Sequence, residues 1–97
     1  MAHFTEFVRL RVQPGREDEF LANRDGAISA IAERIPGFVG APLHARVGDH
    51  EWIDVWIYAT KEDADTANAQ AENIPGFMAY AGLAEIVNIE VGSTPTA

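Results

Sequence analysis

The sequence predicts an α+β fold in which one four-stranded antiparallel sheet carries two helices on the same face. Three observations predict this class. Alternating bulky and polar residues mark strands near both ends of the chain and in a central hairpin. Apolar residues at helical spacing mark two segments between these strands. The tetrapeptide IPGF follows each helical segment, at residues 35–38 and 74–77, where it is expected to end the helix.

The first part of the chain predicts one strand and one helix. Residues 3–12 alternate as a strand requires, and Glu6 is the one charged residue on their apolar side, which also carries Val8. Pro14-Gly15 ends this strand. The helix predicted for residues 16–35 has an inner stripe that is apolar except for one arginine; it consists of Phe20, Arg24, Ala27, Ile28, Ile31 and Ile35.

The second part predicts a hairpin, a second helix and a last strand. Residues 38–47 and 50–59 are extended in pattern and are joined by Gly48-Asp49, a signal for a two-residue turn. Thr60 is the predicted N-cap of the second helix. The inner face of that helix is narrow and consists of Ala64, Ala67, Ala71 and Ile74. Residues 84–91 predict the last strand, and residues 92–97 a polar C-terminal tail.

The resulting element order is the ferredoxin-like βαββαβ arrangement, formed as a single domain over residues 1–97. Both copies of IPGF suit the end of a helix, because proline cannot continue a helix and glycine allows the chain to reverse. The residues flanking the two copies do not match. A direct role of IPGF in ligand binding is therefore the weaker alternative.

Composition limits the partners. The net charge of −8 and the isoelectric point near 4.6 argue against a nucleic acid or an anionic membrane, because phosphate binding needs a basic face. The chain has no cysteine, and His3, His44 and His50 lack metal-ligand spacing, so no metal site is predicted. Neither a signal peptide nor a run of 18 apolar residues is present, so the expected location is the cytoplasm.

The hairpin determines which residues face the helices. A turn at Gly48-Asp49 would pair Leu43 with Asp54 and Ala41 with Trp56. One face would then carry Trp52, Asp54, Trp56 and Tyr58, and the other Ile53, Val55 and Ile57 with His44 and Arg46. A slip of one residue would exchange the two sets.

The second face of the sheet predicts a homodimer. With helices on one side only, the aliphatic stripe of Ile53, Val55 and Ile57 would stay in water in a monomer. We therefore expect this face to pack against a second copy of the chain.

The strings VRLRVQPGREDEF, RIPGFVGAPLHARVGDHEWIDVWIYATKEDA and IPGFMAY make the sequence resemble the antibiotic biosynthesis monooxygenase family. The resemblance runs from about Phe4 to Val91. It implies a dimeric α+β barrel, with each subunit's ligand pocket between its own sheet and helices. Family relatives include cofactor-free oxygenases, haem-degrading enzymes and proteins without an assigned reaction, so the resemblance alone does not fix an activity.

The haem-degrading branch is not supported by the residues. Its strand asparagine corresponds to Val8 and its axial histidine to Ala81, and the second helix has no tryptophan. The quinone-forming branch, which uses O₂ without metal or flavin, has a strand asparagine, a tryptophan and a helix tyrosine. These correspond to Asp54, Tyr58 and Ala64, so the resemblance implies an altered site and no cofactor.

The candidate catalytic residues are Asp54, Tyr58 and Glu6, and Asp54 is the natural general base for a phenol. The alternative for Asp54 is a hydrogen bond within the sheet or an ion pair with Arg24. Glu6 is expected to have a raised pKa or a cationic partner. The candidate substrate-binding residues are Trp52, Trp56, Arg24, Phe20 and Val8. Two functions stay open: a metal-free monooxygenase acting on an aromatic or polyketide-like substrate, and a non-catalytic small-molecule-binding or accessory protein.

Overall fold

The structure is a computed structural model and describes residues 1–96. The elements are β1 (Ala2–Val12), α1 (Glu17–Arg34), β2 (Phe38–Gly48), β3 (Glu51–Tyr58), α2 (Lys61–Gln70), α3 (Pro75–Ala81) and β4 (Ala84–Pro95). A short 3-10 turn, Ala71–Asn73, joins α2 to α3. The strands form one antiparallel sheet in the order β2-β3-β1-β4, which confirms the ferredoxin-like α+β fold. None of the helices within residues 1–96 has the length and apolar character needed to cross a membrane.

The central strands carry the predicted residues towards the helices. In the register of β1 with β3, Glu6 lies opposite Trp56 and Val8 lies opposite Asp54. Residues that pair across a sheet share a face, so these side chains stand on the side covered by the helices. Phe20 and Ile31 of α1 are buried against that side. The predicted division of β3 between its two faces is therefore confirmed.

The predicted pairing of β2 with β3 is wrong by one residue from Leu43 to Arg46, whereas Gly40 pairs with Ile57 as the predicted register requires. Asp54 pairs with His44 and not with Leu43, and Gly48 pairs with Glu51. The turn lies at Asp49-His50, where His50 has a positive φ of 60°; this change alone would displace the pairing by two residues and keep each side chain on its predicted face. The exchange of faces comes from a register irregularity between Arg46 and Gly48, where the ladder skips one residue of β2. His44 consequently faces the helices, whereas it was predicted on the opposite face. Arg46, which pairs with Trp52, moves in the same way.

Because the structure has a third helix, α3, the two copies of IPGF have different structural roles. The first copy ends α1, as predicted, and the second supplies Pro75 as the first residue of α3, where proline is well tolerated. A Cβ atom added at Gly37 would overlap the carboxylate of Asp63. One added at Gly76 would lie 2.9 Å from Cβ of Ala30 on α1. Each glycine therefore also permits a close approach between elements.

Strand β4 is longer than predicted and contains a β-bulge. Gly92 pairs with Thr5, and the strand continues to Pro95, so residues 92–95 belong to the sheet and not to a tail. The last residue of the predicted tail, Ala97, lies outside the described residues. The bulge falls where the partner of β1 changes from Asn88 to Ile86, so the ladder skips one residue of β4.

The face of the sheet without helices has an apolar patch, bordered at one end by the ion pairs of Arg9 and Arg11 with Glu51. Ile53 and Ile57 are half-buried on this face, and Val55 between them is buried. Its neighbours across the sheet, Phe7 and Leu43, are 41% and 54% exposed. This face thus presents the apolar surface from which the sequence predicts a homodimer.

Candidate functional site

A cavity of about 610 Å³ lies between the sheet and the helices α2 and α3. Most of its wall is apolar and includes Trp56, Phe77, Met78, Ile86 and Ile89. The polar side chains on the wall are Glu6, Asp54, Tyr58, Asn68 and Tyr80. An apolar enclosure with a few converging polar groups is the usual form of a small-molecule site.

Asp54 is completely buried at the centre of β3 and is held by two partners. Arg24 of α1 donates from Nη2 to Oδ1 at 2.6 Å and from Nε to Oδ2 at 3.4 Å. The hydroxyl of Tyr80 on α3 donates to Oδ2 at 2.5 Å. The carboxylate therefore connects the sheet to two helices, and its negative charge is matched by a partly buried guanidinium.

Several aromatic rings that do not line the cavity pack around Tyr80. Phe20 stacks on Tyr80 with ring centroids 4.3 Å apart, and His44 stacks on Trp52 at 4.7 Å. The Nε2 atom of His44 lies 3.1 Å from the Tyr80 hydroxyl. Burial lowers the pKa of His44, with the Arg24 guanidinium adding to this effect and Asp54 opposing it. The imidazole therefore favours its neutral form.

Glu6 differs from Asp54 in its surroundings. Its side chain is nearly buried, and Asn68 of α2 donates to its Oε2 at 3.0 Å. Among the described residues it forms no ion pair. Burial raises the pKa of this carboxyl group, and the hydrogen bond from Asn68 opposes the rise only in part. Two carboxyl groups in contrasting environments thus share one cavity.

Tyr58 lies on the same wall at the end of β3. Burial raises the pKa of its phenol, and the charges of Glu6 and Asp54 raise it further. Tyr58 therefore keeps its proton at neutral pH. In the cavity it can contribute a hydroxyl group and an aromatic ring, but no phenolate base.

The structure brings five of the eight predicted site residues together. Glu6, Val8, Asp54, Trp56 and Tyr58 all line the cavity. The other three lie outside its wall. They are Arg24, which holds Asp54, Phe20, which packs behind Tyr80, and Trp52, whose indole donates to Glu17 at the start of α1.

Tyr80, Asn68 and His44 are polar residues of the site or its support that the sequence did not single out. Tyr80 belongs to α3, which was not predicted; Pro75 followed by Phe77 and Tyr80 at helical spacing was the available signal. Asn68 is an exposed residue of α2, but its amide reaches Glu6. His44 was missed because of the register error in β2.

Three positions that correspond to functional residues in other branches of the resembled family carry apolar side chains in this chain. Val8 and Ala81, the positions of the haem-degrading asparagine and histidine, both line the cavity and offer no ligand atom. Ala64, the position of the helix tyrosine, is fully buried. Within residues 1–96, no three histidine, aspartate or glutamate side chains are grouped so that they could hold a metal ion.

Comparisons with known proteins agree with this architecture. SnoaB from Streptomyces nogalater, a cofactor-independent oxygenase, has a TM-score of 0.74 at 21% sequence identity, with 100% of this chain and 97% of SnoaB covered. A Bordetella bronchiseptica protein, provisionally assigned as an antibiotic biosynthesis monooxygenase, has a TM-score of 0.72 at 20% identity, with coverages of 100% and 99%. MupZ from Pseudomonas fluorescens has a TM-score of 0.72 at 15% identity, with coverages of 92% and 69%. At these identities the likeness establishes the fold alone.

The sequence comparison identifies the family. No curated protein matches the chain. The profile of the antibiotic biosynthesis monooxygenase family matches residues 3–73, which extend from β1 to the turn after α2. Because this match covers more than half of the sequence, the chain belongs to the antibiotic biosynthesis monooxygenase family.

Proposed function

We propose that the protein is a cofactor-independent monooxygenase that converts a polycyclic phenol into a quinone with O₂. The observation that carries this proposal is the pair of carboxyl groups, Asp54 and Glu6, which share one apolar cavity but differ in environment. Such a pair suits a reaction that needs both a base and an acid. Membership of the family and the fold shared with SnoaB, itself a cofactor-independent oxygenase, support the same reaction class.

Asp54 is the base in this proposal. Its carboxylate is paired with Arg24, so the site contains a negative group that can accept the hydroxyl proton of a phenol. The resulting anion carries electron density on its ring carbons, and one of these reacts with O₂ to form a peroxide. The aromatic wall, which includes Trp56 and Phe77, favours a flat ligand and keeps water from the intermediate.

Glu6 is the acid. Because burial raises its pKa, this carboxyl group retains a proton to higher pH than an exposed glutamate does. It can give that proton to the peroxide, which then loses water to leave the second carbonyl group of the quinone. The atoms balance: phenol and O₂ become quinone and water, with the phenolic hydrogen and one ring hydrogen both ending in water. The substrate supplies all the electrons, so the reaction requires no external reductant.

The alternative function is a non-catalytic binding or accessory protein that uses the same cavity. Two observations favour it. Ala64 stands where the quinone-forming relatives have a tyrosine, and both oxygens of Asp54 are already occupied by hydrogen-bond donors. Under this alternative the cavity would bind an aromatic ligand and release it unchanged.

Oxygen uptake separates the two functions. The protein is incubated with a panel of phenols and anthrones whose binding is first measured, and O₂ consumption and product mass are recorded. For a phenol, the product should gain one oxygen atom and lose two hydrogen atoms. We expect Asp54→Asn and Glu6→Gln each to lower kcat about 10²–10⁴-fold, the usual contribution of general acid–base catalysis. No uptake with any phenol or anthrone that binds would support the binding function.

We also propose that the protein acts as a cytoplasmic homodimer. The half-exposed apolar face around Val55, with Phe7 and Leu43 on either side, supports this arrangement. Because the cavity lies on the opposite face of the sheet, dimer formation would leave the cavity within each subunit.

A further inference from the structure

Tyr80 both lines the cavity and contacts Asp54. It is 2% exposed, lines the cavity and donates its hydroxyl hydrogen to Oδ2 of Asp54. The direction of this hydrogen bond is fixed, because an ionised carboxylate can only accept. The single hydrogen of the Tyr80 hydroxyl is therefore committed to Asp54.

The number of available hydrogen atoms then determines which ring nitrogen of His44 is protonated. Its Nε2 atom lies 3.1 Å from the Tyr80 oxygen, and one of the two atoms must supply a hydrogen. Tyr80 has no second hydrogen to give, so Nε2 of His44 carries the proton and donates it. The phenolic oxygen of Tyr80 thus accepts a hydrogen bond from His44, and the Arg24 guanidinium lies beside the same hydroxyl group.

Asp54 itself offers little room for a direct approach by a ligand. Arg24 contacts both carboxylate oxygens, and Tyr80 shares Oδ2. The buried carboxylate is completely excluded from solvent. A hydroxyl group in the cavity that takes the place of His44 as the donor to Tyr80 would leave both partners of the Asp54 carboxylate in position.

We propose that Tyr80 is a catalytic residue that accepts the hydroxyl proton of the substrate while passing its own proton to Asp54. The substrate O–H bond and the original Tyr80 O–H bond break, and a new Tyr80 O–H bond and an Asp54 Oδ2–H bond form. The substrate becomes an anion, and Asp54 becomes neutral. The step rests on the proposed monooxygenase function, in which Asp54 is the base.

The charges around Tyr80 are consistent with this transfer. The groups that face its hydroxyl are Asp54 from β3, His44 from β2 and Arg24 from α1. Burial raises the pKa of Tyr80, so the residue does not act as a phenolate base and passes a proton only by receiving another. Arg24 stays charged throughout, so the new substrate anion and the guanidinium replace the original ion pair.

The test uses 2-hydroxyanthraquinone, a phenol of three fused rings whose ionised form absorbs at longer wavelength than its neutral form. Its ionised fraction is measured against pH, free and bound, by absorbance. We expect the wild-type protein to lower the pKa of the bound probe by about one unit or more, which is about a tenfold change in the ionised-to-neutral ratio. Tyr80→Phe should bind the probe and leave its pKa at the value in solution.

Tyr58→Phe is the matched control, because Tyr58 also lines the cavity but has no hydrogen bond to Asp54. Binding of the probe can weaken in this variant, but the bound probe should keep its lowered pKa. If Tyr80→Phe does not fold, 3-fluorotyrosine incorporated into the Tyr58→Phe variant labels Tyr80 alone, since the chain has two tyrosines. The fluorine resonance of Tyr80 should then shift as the bound probe ionises, because the hydroxyl beside the fluorine changes from accepting a hydrogen bond from the probe to donating one to it.

Three results would overturn the assignment of Tyr80. They are equal probe ionisation in Tyr80→Phe and wild type, a fluorine resonance of Tyr80 that does not respond to probe ionisation, and absence of a pKa shift or of binding in the wild type. Oxygen uptake distinguishes this failure from failure of the oxygenase. Probe ionisation that depends on Tyr80 without any O₂ uptake supports Tyr80 and rejects oxygenation, whereas uptake with ionisation independent of Tyr80 does the reverse.

Discussion

Arg24 of α1 and Asp54 of β3 form an ion pair with 2.6 Å between Nη2 and Oδ1, and the two side chains are 14% and 1% exposed. The same guanidinium donates to the backbone carbonyl oxygens of Ala41 and Leu43 in β2. One arginine therefore joins a helix to two strands and also supports the wall of the cavity.

Removing the carboxylate should destabilise the fold strongly. We expect Asp54→Ala to lower the free energy of unfolding by about 3–5 kcal/mol, because Arg24 would keep its buried charge without a partner. Urea denaturation measures the change. Arg16→Ala is the control, since Arg16 pairs with Glu19 at the surface, and it should cost less than about 1 kcal/mol. Equal losses in the two variants would contradict this interpretation of the buried pair.

The stability contributed by Glu6 should depend on pH. Its pKa is raised on folding by burial, so the folded protein holds this proton more tightly than the unfolded chain, whose value is near 4.5. The stabilisation is complete below that value and is lost as the pH rises through the pKa of the folded state. Glu6→Gln cannot titrate and should gain stability relative to wild type over this rise. Urea denaturation at several pH values tests this, and a constant difference would contradict it.

Two glycines should respond to alanine with opposite signs. Gly76→Ala places a Cβ atom 2.9 Å from that of Ala30 and should cost about 1–3 kcal/mol through overpacking between α1 and α3. Gly26→Ala, inside α1, meets no atom within 4 Å and should stabilise the protein by about 0.5–1 kcal/mol. Thermal or urea unfolding gives both values. Stabilisation by Gly76→Ala would show that the two helices can move apart.

A charge on the apolar face should separate the proposed dimer. Phe7→Glu introduces a carboxylate at the centre of that face, where its burial against a second subunit would lack a partner. We expect a monomer by light scattering after size-exclusion chromatography. Leu21→Glu is the control, because Leu21 is similarly exposed, at 43% against 41%, but lies on α1. A wild-type monomer, or an equal loss of dimer in both variants, would count against this interface.

The central part of the site could be predicted because its pattern is local. Trp52, Asp54, Trp56 and Tyr58 alternate along one strand, so their common face follows from the period of a strand alone. The partners in β2 depended on a single turn. The turn lies one residue later than the Gly48-Asp49 signal indicates, and the ladder then skips one residue between Arg46 and Gly48, which brings His44 to the helix side. No local pattern in the sequence marks that irregularity.

The missing third helix had a larger effect on the predicted site. Proline was interpreted only as the end of a helix, although Pro75 also suits the first position of a new one. Tyr80 could not be connected with Asp54 without that helix, because the contact joins residues 26 positions apart in the chain. Tertiary contacts of this kind leave no periodic signal in the sequence.

The β-bulge in β4 changes which amino acids can build the cavity. Ile86 pairs with Leu10 and Ile89 with Val8, so both line the cavity although they are three positions apart. Strict alternation would send them to opposite sides of the sheet. The alternation of this strand thus reverses at Val87: even positions lie on the helix-covered face before Val87, and odd positions lie on that face after it. A substitution scan that assumes one unbroken alternation along β4 would assign half of its residues to the wrong face of the sheet.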